Sequence, residues 1–269
     1  MMRKHILKEF ASFTRIETCL FITGISVTGY CMFNRIGVDL LFLFLSIFLG
    51  AGASYGYNHL TDRKEDMVNN RRLNCFVLRE GAGKGLVFAL FLSGFFISFL
   101  LPITFVLLYS LLMFLSVVYS GLGVKRMFVI KNIFTGFTIA LTFLAGSVVS
   151  HELDFEVLSY FPFIFLFGLT LNILGDIRGY EGDRFAGVKT IPLAFGKNTA
   201  KKLVYLITGI FTVSVVVFRF ANLYPLIPFM LLISFFLHRD DHRKSRISIL
   251  SSFIFFSLFI LVLNLTGGV

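Results

Sequence analysis

Long apolar runs separated by short polar ones dominate this chain. Stretches able to cross a hydrocarbon core, which takes about 20 helical residues, run 18–34, 38–60, 85–101, 102–122, 132–150, 157–175, 200–218, 221–237 and 247–266. They predict nine helices and no sheet: an all-α, integral membrane bundle. Leu101-Pro102 joins two spans without a polar loop, and Pro102 suits the first turn of a new helix. Residues 40–60 carry no Asp, Glu, Lys or Arg. That run then ends in "YNHLTDRKED" (57–66), where Asn58, Asp62 and Asp66 stand at four-residue steps and share one helix face. Acids beside hydrocarbon are costly and point to function.

Composition strengthens the membrane reading. The 269 residues are 57% hydrophobic, include 36 Phe, and have a mean hydropathy of +0.85. Charged residues make up 15%, against roughly 25% in a soluble domain. The net charge of +10 would suggest nucleic acid in a soluble protein, but here it follows topology. Of the Lys and Arg residues, 23 fall on one side of the nine-span alternation and only Arg35 and Arg219 on the other. The positive-inside rule then puts the N-terminus and the long polar loops in the cytoplasm and the C-terminus outside. The polar start "MMRKHILKEF" is expected to remain rather than to be cleaved. Cys19, Cys31 and Cys75 show no metal-like spacing and read as small apolar residues.

A second acidic cluster ends the sixth span. In "NILGDIRGYEGD" (172–183), Asn172 and Asp176 repeat the spacing of Asn58 and Asp62. Asp183 falls on the same face if the helix continues, and Glu181 on another. The offset suggests two pseudo-repeats, about 15–122 and 132–237, followed by the last helix, 247–266, all within one domain. Carboxylate and amide oxygens are hard ligands suited to Mg²⁺, which usually takes one or two carboxylates and fills its shell with water and phosphate oxygens. Two clusters therefore suggest two Mg²⁺ ions holding a diphosphate. Arg63, Lys64, Arg71, Arg72, Arg178, Arg184 and Lys189 in the same loops, with Lys125 nearby, fit an anionic headgroup whose hydrocarbon tail lies among the apolar helices.

These motifs resemble those of the UbiA superfamily of intramembrane prenyltransferases. The family's first motif, N-D-x-x-D-x-x-x-D, is similar to Asn58-His59-Leu60-Thr61-Asp62-Arg63-Lys64-Glu65-Asp66, and "NRRL" (70–73) to the N-R-P-L/I that follows it. "GDIRGYEGDRFAGVKTIPLAFG" (175–196) is similar to the second motif and keeps Asp176, Gly182, Asp183, Gly187, Thr190 and Pro192. "VYSGLGVKR" (118–126) looks like the family's Y-S-x-x-x-K segment, and Arg15 sits where members carry an arginine opening span one. The chain departs from the pattern at His59 and Gly179, where aspartates are usual, and at Arg72, where proline is.

The resemblance implies a Mg²⁺-dependent transfer of a polyprenyl chain from a prenyl diphosphate to a lipophilic or aromatic acceptor, with release of diphosphate. Asn58, Asp62, Asp66, Asp176 and Asp183 would hold metal. Arg15, Arg71, Ser120, Lys125, Asn172 and Lys189 would bind substrate, and Tyr119 would face the allylic cation. Imidazole is a poor Mg²⁺ ligand, so His59 is expected outside the metal set, either donating to diphosphate or acceptor or packing at the helix end. The acceptor stays open between a glycerol-phosphate ether lipid such as geranylgeranylglyceryl phosphate and a quinone precursor such as hydroxybenzoate. The alternatives are a membrane transporter or a catalytically degenerate family member. Neither a nucleic acid nor a protein partner is implied.

Overall fold

A computed structural model describes residues 2–68, 72–185 and 187–266. Among them every regular element is helical: α1 Met2–Thr14, α2 Ile16–Phe33, α3 Asp39–Thr61, α4 Arg63–Val68, α5 Cys75–Leu78, α6 Glu80–Ser98, α7 Ile103–Gly121, α8 Ile130–Ser147, α9 Phe155–Ser159, α10 Phe161–Phe185, α11 Ile191–Phe195, α12 Lys197–Val217, α13 Ile227–His238 and α14 His242–Leu265. Single 3₁₀ segments cover Val124–Arg126 and Ala221–Leu226.

Eight stretches among the described residues are long and apolar enough to cross a membrane, and they match the first eight expected spans. The ninth, expected over 247–266, lies within α14, a helix of 24 residues. Pro102 stands one residue earlier than expected, capping α7 with extended backbone (φ −56°, ψ 153°). A larger difference concerns α10. The sixth span, expected over 157–175, continues as helix to Phe185. Gly175, Gly179 and Gly182 disfavour helix there by roughly 1 kcal/mol each, yet a well-formed stop lies beyond them. Gly187 adopts φ +68°, with Val188 N donating to Asp183 O (3.0 Å) and Gly187 N to Arg184 O (3.3 Å), the paired bonds of a glycine-terminated helix.

The chain forms two compact units. The first comprises residues 1–124 and 141–153. In it α3 is central and packs against α2, α6 and α7. α2 lies close against the second half of α8, because a Cβ on Gly146 would come within 1.8 Å of Ser26 O, and one on Gly29 within 2.2 Å of Phe143 O. Small residues allow such backbone approach between membrane helices. Asn34, 4% exposed, locks this pair: its Nδ2 donates to Tyr30 O (3.0 Å), Gly146 O (3.4 Å) and Ser147 O (3.0 Å), and its Oδ1 accepts from Ser150 N (2.7 Å).

The second unit comprises residues 125–140 and 154–269. Here α10 packs against α11, α12 and α14, and α13 against α12 and α14. Its core is aromatic: Phe163 meets Phe211 and Phe220, and Phe167 meets Phe253. α8 contributes its first turns to this unit and its remainder to the other.

Candidate active site

The first motif is built on the end of α3. Asp62 sits at the helix C-cap, φ −84° and ψ −5°, so the helix yields there to α4. The backbone ladder nevertheless continues, with Asp62 N bonded to Asn58 O (3.0 Å) and Asp66 N to Asp62 O (2.9 Å). The expected register of Asn58, Asp62 and Asp66 is therefore preserved across the break. Asn58 Nδ2 donates to Asp62 Oδ2 (2.9 Å). Ser120 Oγ, from the last turn of α7, donates to Asn58 Oδ1 (3.0 Å). These two bonds fix the orientation of the asparagine amide. Ser120 is buried, while Asn58, Asp62 and Tyr119 are half-buried.

Arg15 reaches the same helix end. It occupies the left-handed region (φ 51°) between α1 and α2, an uncommon conformation for a residue with a side chain. Its Nε donates to His59 Nε2 (3.3 Å), and its guanidinium lies 5.7 Å from the centre of the Tyr55 ring. The Phe13 ring stacks on His59 at 6.0 Å. His59 thus packs at the helix end as an acceptor. Arg72 pairs with Glu9 (3.2 Å), and the same carboxylate accepts from Cys75 N (2.9 Å). Arg63 pairs with Glu80 (2.9 Å), so this loop cation is committed within the protein. Arg71 lies outside the described residues.

The second motif is built on α10, whose extension keeps Asn172, Asp176 and Asp183 on one continuous helix. Asp176 is 6% exposed. Lys131 Nζ donates to its Oδ1 at 2.8 Å and Asn132 Nδ2 to its Oδ2 at 3.0 Å. Sequence reasoning missed both partners. A charge count takes Lys131 for one more loop cation, yet it lies in the first turn of α8 with its side chain 12% exposed. The available signal was the pair Lys131-Asn132 opening an otherwise apolar span. A Cβ on Gly179 would lie 3.4 Å from Asp183 Oδ2, so the residue replacing the usual aspartate borders the remaining carboxylate. Glu181 points elsewhere, paired with Lys197 (3.2 Å), which also lies over the Tyr180 ring. Lys189 is exposed after α11's approach turn, and Lys125 is half-buried in the 3₁₀ segment.

Among the described residues no three His, Cys, Asp or Glu side chains converge as a ready cation cage. The donors at the first motif are all hard oxygens, a set that fits Mg²⁺ sharing its shell with ligand and water. Asp183 brings the same hard oxygens to the second motif, and each Asp176 oxygen accepts a hydrogen bond.

Comparison with known proteins agrees with the fold. The model of the UbiA prenyltransferase family matches residues 20–262. Similar curated proteins include digeranylgeranylglyceryl phosphate synthases of Sulfurisphaera tokodaii, 26% identical across 71% of this chain and 70% of that protein, and of Methanothermobacter thermautotrophicus, 28% identical across 61% and 58%. A UbiA homolog from Archaeoglobus fulgidus, solved bound to GPP and Mg²⁺, superposes with a TM-score of 0.80 at 20% identity, covering 96% of this chain and 98% of that one. The chain belongs to the UbiA prenyltransferase family. It is an integral, multi-pass membrane enzyme, an intramembrane prenyltransferase.

Proposed function

We propose that this enzyme moves a polyprenyl group from a prenyl diphosphate to the hydroxyl of a glycerol-phosphate ether lipid such as geranylgeranylglyceryl phosphate, with Mg²⁺ as cofactor. The observation that carries the reading is the amide–carboxylate arrangement of Asn58, Asp62 and Ser120. The names of the curated relatives and the GPP and Mg²⁺ of the structural neighbour support it.

Asn58, Asp62 and Asp66 would hold one Mg²⁺, and Asp176 and Asp183, with Asn172 beside them, a second. Bound metal supplies charge neutralisation and Lewis-acid assistance to the leaving diphosphate. Arg15, Arg71, Lys125 and Lys189 add positive charge for the diphosphate oxygens. The allylic C–O bond breaks and its electron pair leaves with diphosphate. The acceptor oxygen then bonds to the prenyl carbon and gives its proton to the departing diphosphate or to water. Tyr119 offers a ring face to the cation, and the apolar helices exclude the water that would otherwise give prenyl alcohol. The strong Lys and Arg asymmetry supports a cytoplasmic side for these motifs and the N-terminus, with the C-terminus outside.

The test is a reconstituted assay with geranylgeranyl diphosphate, Mg²⁺ and parallel acceptors. A prenylated glycerol-phosphate ether with equimolar diphosphate is expected. A prenylated hydroxybenzoate alone would replace the acceptor. Absence of Mg²⁺-dependent diphosphate release with every acceptor would mark a degenerate member.

A further inference from the structure

The pairing at Asp176 is built more firmly than a helix-end carboxylate requires. The carboxylate and Lys131 are both largely withdrawn from solvent, and Asn132 is fully buried. Asn132 Nδ2 faces the carboxylate at 3.0 Å, which fixes the amide, since the flipped amide would set oxygen against oxygen. Its Oδ1 is then left without a hydrogen-bond partner in the buried state, a cost tolerated to keep the amide aimed at Asp176. Removing an ammonium from water is likewise expensive unless it is closely paired. Lysine also has a flexible four-carbon stem and can withdraw without disturbing the backbone.

We propose that Lys131 is a tethered stand-in for a divalent cation at the second acidic motif: with Asn132 it holds the Asp176 carboxylate in place, and Mg²⁺ reaches Asp176 only by displacing the ammonium. Lys131 and Asn132 are thus positioning residues, and the second motif loads metal against an internal competitor. This rests on the assignment of Asp176 to metal binding. It follows from charge and geometry, because an ammonium 2.8 Å from Oδ1 and a divalent cation on the same oxygen would repel at short range.

The test uses the full chain in detergent with Mg²⁺ alone as the probe. Asp62→Asn/Asp66→Asn serves as the background, so that the second motif dominates the response. Isothermal titration and thermal melting are read for Lys131→Met, Lys131→Gln and Lys131→Arg. The neutral variants should melt lower without metal, bind Mg²⁺ about tenfold more tightly and gain more from it in Tm. Lys131→Arg, which keeps the charge, should follow the unchanged background. Lys131→Gln retains hydrogen bonding and keeps the test available if Lys131→Met does not fold. Equal or weaker Mg²⁺ affinity in the neutral variants overturns the competition while leaving metal binding standing. No Mg²⁺ response in any of these proteins, Asp176→Asn included, overturns the metal assignment of Asp176 and the competition with it.

Discussion

Arg15 and His59, 44 residues apart, are joined by a hydrogen bond in which the guanidinium Nε donates to the imidazole Nε2 at 3.3 Å. The imidazole stands where the family's motif has an aspartate, and its Nε2 accepts the guanidinium's bond. His59→Leu should raise KM for the prenyl diphosphate about tenfold with little change in kcat, through lost aim of Arg15. His59→Gln, which retains an acceptor, should stay near wild type. In a double-mutant cycle Arg15→Ala and His59→Leu should be non-additive by about 1 kcal/mol. Full additivity would separate the two side chains.

The two motifs should differ when an acid is removed. Asp62→Ala and Asp176→Ala should each lower turnover by more than about 100-fold. Asp176→Ala strands the buried Lys131 and should destabilise by about 3–5 kcal/mol, read as a fall in Tm without Mg²⁺. Similar melting of the two variants would contradict the burial of the Lys131 pair.

Ser120 holds the Asn58 amide by its oxygen. Ser120→Ala should raise the Mg²⁺ concentration for half-maximal activity by about tenfold, as when a group orienting a metal ligand is lost. Ser120→Thr should restore most of it. An unchanged Mg²⁺ requirement would make Ser120 a packing residue.

Gly146→Ala places a methyl against Ser26 O and should cost about 1–3 kcal/mol. Gly81→Ala meets nothing within 4 Å and should be neutral or stabilising by up to about 1 kcal/mol. Melting in a single detergent compares them directly.

Reporters inserted at residues 70, 128, 185 and 242 should all be cytoplasmic, and one at the C-terminus should lie outside. An external label at 70 or 185 would contradict the orientation of both motifs.

The spans were legible because twenty apolar residues in a row have few other uses, and the face shared by Asn58, Asp62 and Asp66 followed from helix periodicity alone. The continuation of α10 was not, since Gly175, Gly179, Gly182 and the charges between them look like a loop, and the stop that tolerates them lies beyond at Gly187. The Lys131–Asp176 and Arg15–His59 pairs each join positions more than forty residues apart. No local pattern encodes such meetings, and a charge count treats Lys131 like any surface cation.

The Asn34 clamp has a consequence for biosynthesis. Its partners at Gly146, Ser147 and Ser150 leave the ribosome more than a hundred residues after it does. Until then the amide waits at the end of an inserted helix with Tyr30 O within reach and these three partners still to come. The first unit therefore cannot finish assembling as its first four spans emerge. A nascent chain stalled before residue 150 has emerged should present an incomplete bundle to the insertion machinery and to membrane proteases, and one stalled after it has emerged a closed one.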